Sequence, residues 1–282
     1  MPFLAKKLAT AKHLYYSQGF AGISSVLKQK LSEPEQWLRS TEQFHWCLGK
    51  FIELRGNMVQ IEGLSFSVSN PAISTKMKRH FLSDQYEKPE RTAIKQFLNV
   101  DLPVVEFGGA IGVVACHANK MLRNPQQHVV IEANPELLPL LEENRDRNGC
   151  RFTVLHRAIA YGSDEITFHL NQDFWASNVD SSTNRSLRVP TISLQEVVKQ
   201  FGFERCSLIC DIEGSEIALV QHEAETLKQT VATLIIEVHP WCVQADIIDA
   251  MLHRLKSIGF ACVYRTSDNY VLQNTACRQK TA

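Results

Sequence analysis

The sequence lacks an excess of either charge, because its 30 lysines and arginines balance its 30 aspartates and glutamates. A domain that binds nucleic acid usually carries surplus basic residues, so the overall charge predicts no nucleic-acid partner. Internal repeats and low-complexity segments are also missing, which excludes solenoid and largely disordered proteins. A chain of 282 residues can bury a full core, and we expect one large domain with an extension.

Long apolar runs and paired cysteines are missing as well. No apolar stretch is long enough to span a bilayer, and the N-terminus lacks the apolar segment of a signal peptide. The eight cysteines include no C-x-x-C pair, so we predict neither a disulfide framework nor a zinc site. Cys116, Cys206, Cys210 and Cys262 lie inside apolar runs, where a thiol behaves as a small hydrophobic group. The sequence therefore predicts a reduced, cytoplasmic protein.

Residues 104–112, which read VVEFGGAIG, are the most informative stretch. A short apolar strand leads into an acid, a glycine-rich turn and then a helix, which is typical of nucleotide-type ligand sites at the edge of a parallel sheet. The acid, Glu106, would repel the pyrophosphate of NAD and attract the ammonium and sulfonium groups of S-adenosylmethionine (SAM). The stretch therefore favours SAM, with NAD, or a tight turn without any ligand, as the alternatives.

Residues 1–100 are predicted to form an N-terminal extension. Residues 1–31 have an amphipathic helical pattern that can lie on an anionic membrane surface, although packing on the main domain is the preferred interpretation. The charged residues of this segment are Lys6, Lys7, Lys12, Lys28 and Lys30. Further helices are predicted at residues 37–54, 73–80 and 91–98. Residues 58–68 alternate around a glycine turn and predict a β-hairpin.

Residues 101–274 alternate between apolar strands and amphipathic helices, and residues 275–282 form a predicted tail. Continuous apolar strands between such helices predict an α/β fold, a parallel sheet covered on both faces. Residues 260–264 and 270–272 read as a final antiparallel pair. A polar segment, residues 171–186, interrupts the alternation and contains Phe174 and Trp175. It is a candidate lid over a substrate, with an ordinary surface hairpin as the alternative.

The predicted strands end in Glu106, Glu132, Asp211, and Glu237 followed by His239. Because the carboxyl ends of parallel strands share one edge, we expect these groups to converge on a ligand. Glu132 is placed to accept hydrogen bonds from the ribose hydroxyls of either SAM or NAD. The alternative for Glu132 is a charge that stabilises the start of the next helix.

Residues 211–216, which read DIEGSE, form the second informative stretch. Asp211 and Glu213 could hold an acceptor, bind a metal or take a proton, or they could simply stabilise the helix that follows. His239 is a candidate general base because an unperturbed imidazole has a pKa of about 6.5, although a lone histidine is more often structural. No tight carboxylate cluster is legible, so Mg²⁺ is possible but not favoured, and no metal ligand is assigned.

Residues 86–240 resemble the FkbM family of SAM-dependent methyltransferases. The matching motifs are Tyr86-Glu87, EFGGAIG at 106–112, IEANP at 131–135, VPTISL at 189–194, DIEGSE at 211–216 and IEVHP at 236–240. The resemblance implies a class I methyltransferase (Rossmann-like) fold, with a mostly parallel seven-stranded sheet and helices on both faces. It also implies O-methylation of a hydroxyl group, often on a sugar of a glycan, glycolipid or secondary metabolite.

The chain departs from the family pattern at several positions. Glu106 stands where the family usually has aspartate, and Gly109-Ala110 stand where a small residue and asparagine are usual. Ala133 replaces a frequent proline, and Ile209 replaces a common lysine. The acid exchange keeps the charge, whereas Ile209 removes any lysine-assisted contact.

The combined prediction is a SAM-dependent O-methyltransferase, and the alternatives are an NAD-dependent oxidoreductase or a non-catalytic methyltransferase-like binding domain. The predicted cofactor-binding residues are Tyr86, Glu87, Glu106, Gly108, Gly109, Gly112, Glu132 and Asn134. Glu106 is expected to face the methionine amine of SAM, and Asp211, Glu213 and His239 to act on the acceptor. The expected partner is a sugar- or hydroxyl-bearing small molecule or glycolipid. Peripheral membrane contact through the N-terminal helix is a further expectation.

Overall fold

A computed structural model describes residues 42–82, 85–170 and 186–275. The basic segment at residues 1–31 and most of the candidate lid, including Phe174 and Trp175, lie outside these residues. The helices are α1 (Glu42–Leu54), α2 (Arg79–Leu82), α3 (Lys88–Phe97), α4 (Val113–Met121), α5 (Leu138–Arg147), α6 (Leu194–Phe201), α7 (Glu216–His222), α8 (Ala224–Thr230) and α9 (Ala245–Ser257). The strands are β1 (Met58–Ile61), β2 (Leu64–Ser67), β3 (Val104–Phe107), β4 (His128–Glu132), β5 (Thr153–His156), β6 (Ala158–Ile159), β7 (Glu165–His169), β8 (Ser186–Ile192), β9 (Cys206–Cys210), β10 (Val231–Glu237), β11 (Phe260–Thr266) and β12 (Asn269–Asn274).

A seven-stranded sheet with the order β11-β12-β10-β9-β3-β4-β5 forms the centre of the fold. Strands β10, β9, β3, β4 and β5 are parallel, and β12 pairs antiparallel with both β10 and β11. Helices α6 to α9 pack on one face, and α3 to α5 pack on the other. Strands β3, β4 and β9 are consequently buried along their whole length, which explains their continuous apolar sequences. The predicted class I fold is confirmed.

The strand order reverses between β3 and β9. The chain runs outward from β3 to β4 and β5, then returns to β9 beside β3 and continues to β10. In an open parallel sheet, this reversal leaves a crevice at the carboxyl ends of the two strands. The loops that follow β3, β4, β9 and β10 all open at this edge of the sheet.

The predicted β-hairpin is present as β1 and β2, with Glu62 and Gly63 at positive φ in its turn. Fully buried Asn144 on α5 fastens the hairpin to the sheet domain. Its Oδ1 accepts a hydrogen bond from the Ser67 backbone N–H, and its Nδ2 donates to the carbonyls of Ser67 and Ile111. Asn144 therefore connects the hairpin to the glycine-rich turn that contains Ile111.

Local signals explain where element predictions succeeded and failed. Ser193 caps α6 in a capping box with Glu196, as its position in the sequence indicated. The helix predicted at 73–80 is wrong, because only its last two residues are helical, at the start of α2. Side-chain oxygens of Asn70 and Ser74 accept backbone N–H groups in this region, which favours turns over a helix. Cys262 is exposed on β11 rather than buried. Among the described residues, no helix has the length and apolar character to cross a membrane.

Candidate active site

A cavity of about 500 Å³ opens at the carboxyl edge of the sheet. The loops after β3, β4, β9 and β10 form its walls, together with the segment that leads into α3. The residues predicted for the site that line the cavity are Tyr86, Glu87, Gly108, Glu132, Asn134, Asp211, Glu213 and His239. Predicted residues Glu106, Gly109 and Gly112 do not belong to this lining. Groups from distant parts of the sequence therefore meet at one edge.

The glycine-rich turn packs tightly against its neighbours. Gly108 has a φ of 89°, and a Cβ atom there would lie 1.8 Å from the backbone oxygen of Asp211. A side chain at this position would push apart the two loops that face each other across the reversal of strand order. Gly109 and Gly112 serve the same purpose against side chains of β4 and α5, so they shape the turn without lining the cavity.

The backbone N–H groups of this turn are used inside the protein. Those of Gly108 and Gly109 both donate to the Ile131 carbonyl, at 3.0 and 3.1 Å, and that of Ala110 donates to Glu132 Oε2 at 2.7 Å. At the start of α4, the N–H of Val114 donates to Glu87 Oε2 at 3.3 Å. A bound pyrophosphate depends on such N–H groups being free. Their internal use, half of it by carboxylates, argues against a dinucleotide ligand.

The side chain of Glu87 is held by Tyr86 and by the backbone N–H of Val114. The Tyr86 hydroxyl donates a hydrogen bond to Glu87, and the Tyr86 ring packs on Phe81 with 4.4 Å between ring centroids. Burial and the nearby charge of Glu90 raise the pKa of Glu87 well above its usual range. The Tyr86-Glu87 motif therefore forms a rigid, acidic side of the cavity.

Glu132 joins the end of β4 to the glycine-rich turn. Its Oε1 accepts the N–H of Asn134 at 2.7 Å, and its Oε2 accepts that of Ala110 at the same distance. Burial raises the pKa of Glu132 to about 7, and these two hydrogen bonds oppose the shift. A carboxylate oxygen can accept a second hydrogen bond, so Glu132 can still receive ligand hydroxyls from the cavity.

Glu106 does not occupy the position expected from the sequence. Its side chain is only 1% exposed and points toward the sheet face covered by α3 and α4. Its Oε2 lies 3.2 Å from Nε2 of His128, which is itself fully buried. Burial, with a smaller effect of Asp211, raises the pKa of Glu106 well above its usual range. Glu106 is therefore a buried acid below the cavity. Its carboxyl group does not line the space in which the methionine amine was expected to lie.

His239 lies among the acids that follow β9. Its Nε2 is 3.1 Å from Asp211 Oδ1 and 3.6 Å from Glu213 Oε2, and its Nδ1 is 3.1 Å from Glu216 Oε1. A ring nitrogen with an exposed lone pair would be repelled by a carboxylate at this distance, so both nitrogens carry protons. Burial opposes the charged ring, but the contacts with Asp211 and Glu216 outweigh it and raise the pKa of His239 to about 11. An imidazolium cannot accept a proton, so these contacts favour an orienting role for His239 over the general-base role predicted from the sequence.

Glu216 is the member of this cluster for which the sequence predicted no role of its own. Its carboxylate accepts the backbone N–H groups of Ile212 and Gly214, both at 2.9 Å, and it is 1% exposed. Glu216 thus fixes the turn that carries Glu213 while it also contacts His239. Its position as the last acid of the DIEGSE motif, at the first residue of α7, was the available signal.

One group of side chains in the described part of the chain is compact enough to be considered as a metal site. It consists of Asp211, Glu216 and His239, whose ligand atoms lie within 4.8 Å of one another. Both nitrogens of His239 already face carboxylates, and Glu216 already accepts two backbone N–H groups. These side chains already use their polar atoms on one another and on the backbone, so they form an internal ion network and not a metal centre.

Glu213 differs from Glu216 in that it faces the cavity. Its side chain is 22% exposed, and its backbone has a φ of 53°, which is uncommon for a residue with a side chain. Burial and the charge of Asp211 raise the pKa of Glu213 to about 7, while the charge of His239 opposes the shift. A carboxyl group with this pKa can exchange a proton near neutral pH.

Comparison with known proteins gives one family match. A model of the methyltransferase FkbM domain matches residues 106–265. No curated protein matches the chain. Similar solved structures include an rRNA methylase from Streptococcus thermophilus, at 8% identity over 66% of this chain and 94% of that one, with a TM-score of 0.43. Another is a precorrin-6y C5,15-methyltransferase from Geobacter metallireducens, at 12% identity over 74% and 91%, with a TM-score of 0.39. Aeropyrum pernix fibrillarin with natively bound S-adenosyl-L-methionine is 11% identical over 66% and 73%, with a TM-score of 0.39.

Proposed function

Because this chain belongs to the FkbM methyltransferase family and is a SAM-dependent methyltransferase, we propose that it transfers the methyl group of SAM to a hydroxyl group of a sugar-bearing acceptor.

 The observation that carries this proposal is the position of Glu213, which faces the cavity beside the ion pair of buried His239 with partly exposed Asp211. A sugar hydroxyl is a weak nucleophile until its proton is removed, and Glu213 would be the group that removes it.

The cavity fits SAM better than it fits a dinucleotide. SAM carries an ammonium and a sulfonium and has no phosphate, and it supplies the methyl group when bound. Glu132 would accept hydrogen bonds from its ribose hydroxyls, with Asn134 beside it in the cavity lining. Tyr86, Glu87 and Gly108 would line the remainder of the cofactor side. The internal use of the N–H groups in the glycine-rich turn supports this choice over NAD.

On the acceptor side, we assign the proton acceptor to Glu213 and a positioning role to His239. The hydroxyl proton of the acceptor passes to the Glu213 carboxylate as its oxygen becomes nucleophilic. The charged ring of His239 holds Asp211 and Glu213 on one side and Glu216 on the other, so it orients the base without exchanging a proton. Most of the remaining rate enhancement then comes from holding the two reactants in line.

Trp241 supports a sugar as the acceptor. It lines the cavity, is 67% exposed and meets the His239 ring edge-on, with 4.8 Å between ring centroids. An exposed aromatic face beside carboxylates offers apolar contact to the C–H face of a sugar while the acids accept its hydroxyls. The proposed acceptor is therefore a glycan, a glycolipid or a glycosylated small molecule.

Two measurements test the proposal. Calorimetric titration with SAM, S-adenosylhomocysteine and NAD should show binding of the first two and no binding of NAD. Purified enzyme with methyl-labelled SAM should then label a sugar-containing acceptor from a panel of glycans, glycolipids and glycosides. Mass spectrometry of the product should locate the new methyl group on oxygen. Binding of NAD without SAM, or methyl groups found on nitrogen or carbon, would refute the proposal.

A further inference from the structure

Glu90 is a buried acid of the cavity wall that takes no part in the proposed methyl transfer. Glu90 lies in the first turn of α3, is 5% exposed and lines the cavity. Within the described residues, no hydrogen-bond donor reaches its Oε2 atom. A buried carboxylate oxygen without a donor is costly, and a ligand that donates to it recovers that free energy.

The neighbour of Glu90 in the cavity is another acid. The Glu237 carboxyl, at the end of β10, is hydrogen-bonded to Glu90. Burial, the charge of Asp211 and this contact raise the pKa of Glu237 to about 10. The next residue along α3, Arg91, pairs with Glu62 of the hairpin at 2.8 Å instead. Two adjacent carboxyl groups require a proton or a cation between them.

The surrounding wall is strongly acidic. Among the described residues, the acids that line the cavity are Glu87, Glu90, Glu132, Asp211, Glu213 and Glu237. The basic side chains in the same lining are Arg157 and His239, and the charge of His239 is already shared with Asp211 and Glu216. Burial beside other acids raises the pKa values of Glu87 and Glu237, because the wall lacks compensating positive charge. A positively charged ligand would supply that charge.

We propose that Glu90 and Glu237 form a binding site for a cationic amine. This second proposal rests on the proposed function, because the amine belongs to one of the two substrates of that reaction. It is either the methionine ammonium of SAM or an amino group on the acceptor. In both cases an ammonium group donates to Glu90 and Glu237 and takes the place of a proton between the two carboxyl groups. This assignment replaces the ammonium contact that the sequence predicted for Glu106.

Titration of wild type and Glu90→Gln with three adenosine ligands distinguishes the two sources. SAM and S-adenosylhomocysteine carry the ammonium, whereas methylthioadenosine lacks it. If the amine is that of the cofactor, Glu90→Gln should weaken binding of the first two by about 10–100-fold and leave methylthioadenosine unchanged. If the amine is that of the acceptor, all three should bind as in wild type. Glucosamine, but not glucose, should then bind the S-adenosylhomocysteine complex and lose about tenfold or more in affinity in Glu90→Gln.

Glu223→Gln is the matched control, because Glu223 is 4% exposed and does not belong to the cavity lining. Glu237→Gln repeats the test from the second acid and replaces Glu90→Gln if that variant does not fold. Equal weakening of all three adenosine ligands would overturn the proposal. So would unchanged binding of all three without any Glu90-dependent binding of glucosamine. Failure of the wild type to bind SAM would instead refute the proposed function.

Discussion

Glu106 and His128 face each other from adjacent strands below the cavity, with 3.2 Å between Glu106 Oε2 and His128 Nε2. The Nδ2 group of Asn119 donates to Nδ1 of His128 at 3.3 Å, so the ring proton lies on Nε2 and points at Glu106. Burial lowers the pKa of His128 to about 3, while it raises that of Glu106. The pair is therefore a neutral hydrogen bond in the interior.

The pairing of Glu106 with His128 predicts that Glu106→Gln changes SAM affinity and thermal stability only slightly. Glutamine keeps the shape of the side chain and retains an oxygen that accepts the Nε2–H of His128. We expect SAM affinity within about threefold of wild type, a change smaller than that of one lost charged hydrogen bond. Titration with SAM and a thermal melt provide the measurement. A loss of tenfold or more in SAM affinity, with an unchanged melt, would show that Glu106 acts on the cofactor directly.

Glu132→Gln should have a larger effect on the cofactor. The amide nitrogen of glutamine cannot accept a backbone N–H, so one of the hydrogen bonds from Ala110 or Asn134 is lost along with the charge. We expect SAM binding to weaken by about 1–3 kcal/mol. Titration with SAM measures this, and Glu136→Gln, on the same loop but outside the cavity lining, is the control. Unchanged affinity would remove Glu132 from the cofactor site.

The comparison of Glu132 and Glu106 shows what the sequence could predict. Apolar runs located β3 and β4, and both acids end or nearly end these strands, so their arrival at one sheet edge was predictable. Their orientation was not. Glu132 reaches the cavity, whereas Glu106 points to the face covered by α3 and α4, where a histidine from the next strand receives it. The pairing with His128 depends on strand register, which no local pattern in either segment encodes.

The protonation state of His239 could not be predicted from the sequence either, because it depends on contacts between segments that are distant along the chain. Its place after a strand suggested a free imidazole, but its charge depends on Asp211 and Glu216, which follow another strand. Glu216 was visible as part of the DIEGSE motif, yet its two hydrogen bonds to backbone N–H groups depend on the conformation of the turn. Sequence patterns therefore located the cavity, while the contacts and burial of its individual acids depended on the fold.

Packing on the main domain is the preferred interpretation of the basic N-terminal segment, but its charge pattern also predicts peripheral contact with anionic membranes. Lys6, Lys7 and Lys12 lie on one short amphipathic stretch, and each lysine near an anionic surface contributes about 1 kcal/mol. Co-sedimentation with vesicles that contain phosphatidylserine should recover the full chain in the pellet and the chain without residues 1–31 in the supernatant. Vesicles of phosphatidylcholine alone are the control. Equal recovery of both proteins in the supernatant would leave the segment with a packing role only.

The ion network around His239 predicts that methyl transfer does not depend on a divalent cation. Both ring nitrogens face carboxylates, so neither offers a lone pair to a metal. We expect the same rate of methyl transfer, and the same SAM affinity, before and after treatment with EDTA. Elemental analysis of the purified protein should find no stoichiometric metal. Loss of activity with EDTA that Mg²⁺ restores would show that the cluster is a metal site.

The assignment of the base to Glu213 predicts the pH dependence of the reaction. With a pKa of about 7, Glu213 is protonated and inactive at low pH, so the rate should rise with pH and level off above about 7. Glu213→Gln should lower the rate by about 10²–10⁴-fold and abolish this rise. His239→Asn removes the positive charge that lowers the pKa of Glu213, so the rise should persist but move to higher pH. If His239 were the base, His239→Asn would instead eliminate the rise. Single-turnover rates of the three proteins from pH 5 to 9, with SAM affinity measured in parallel, decide between the two assignments.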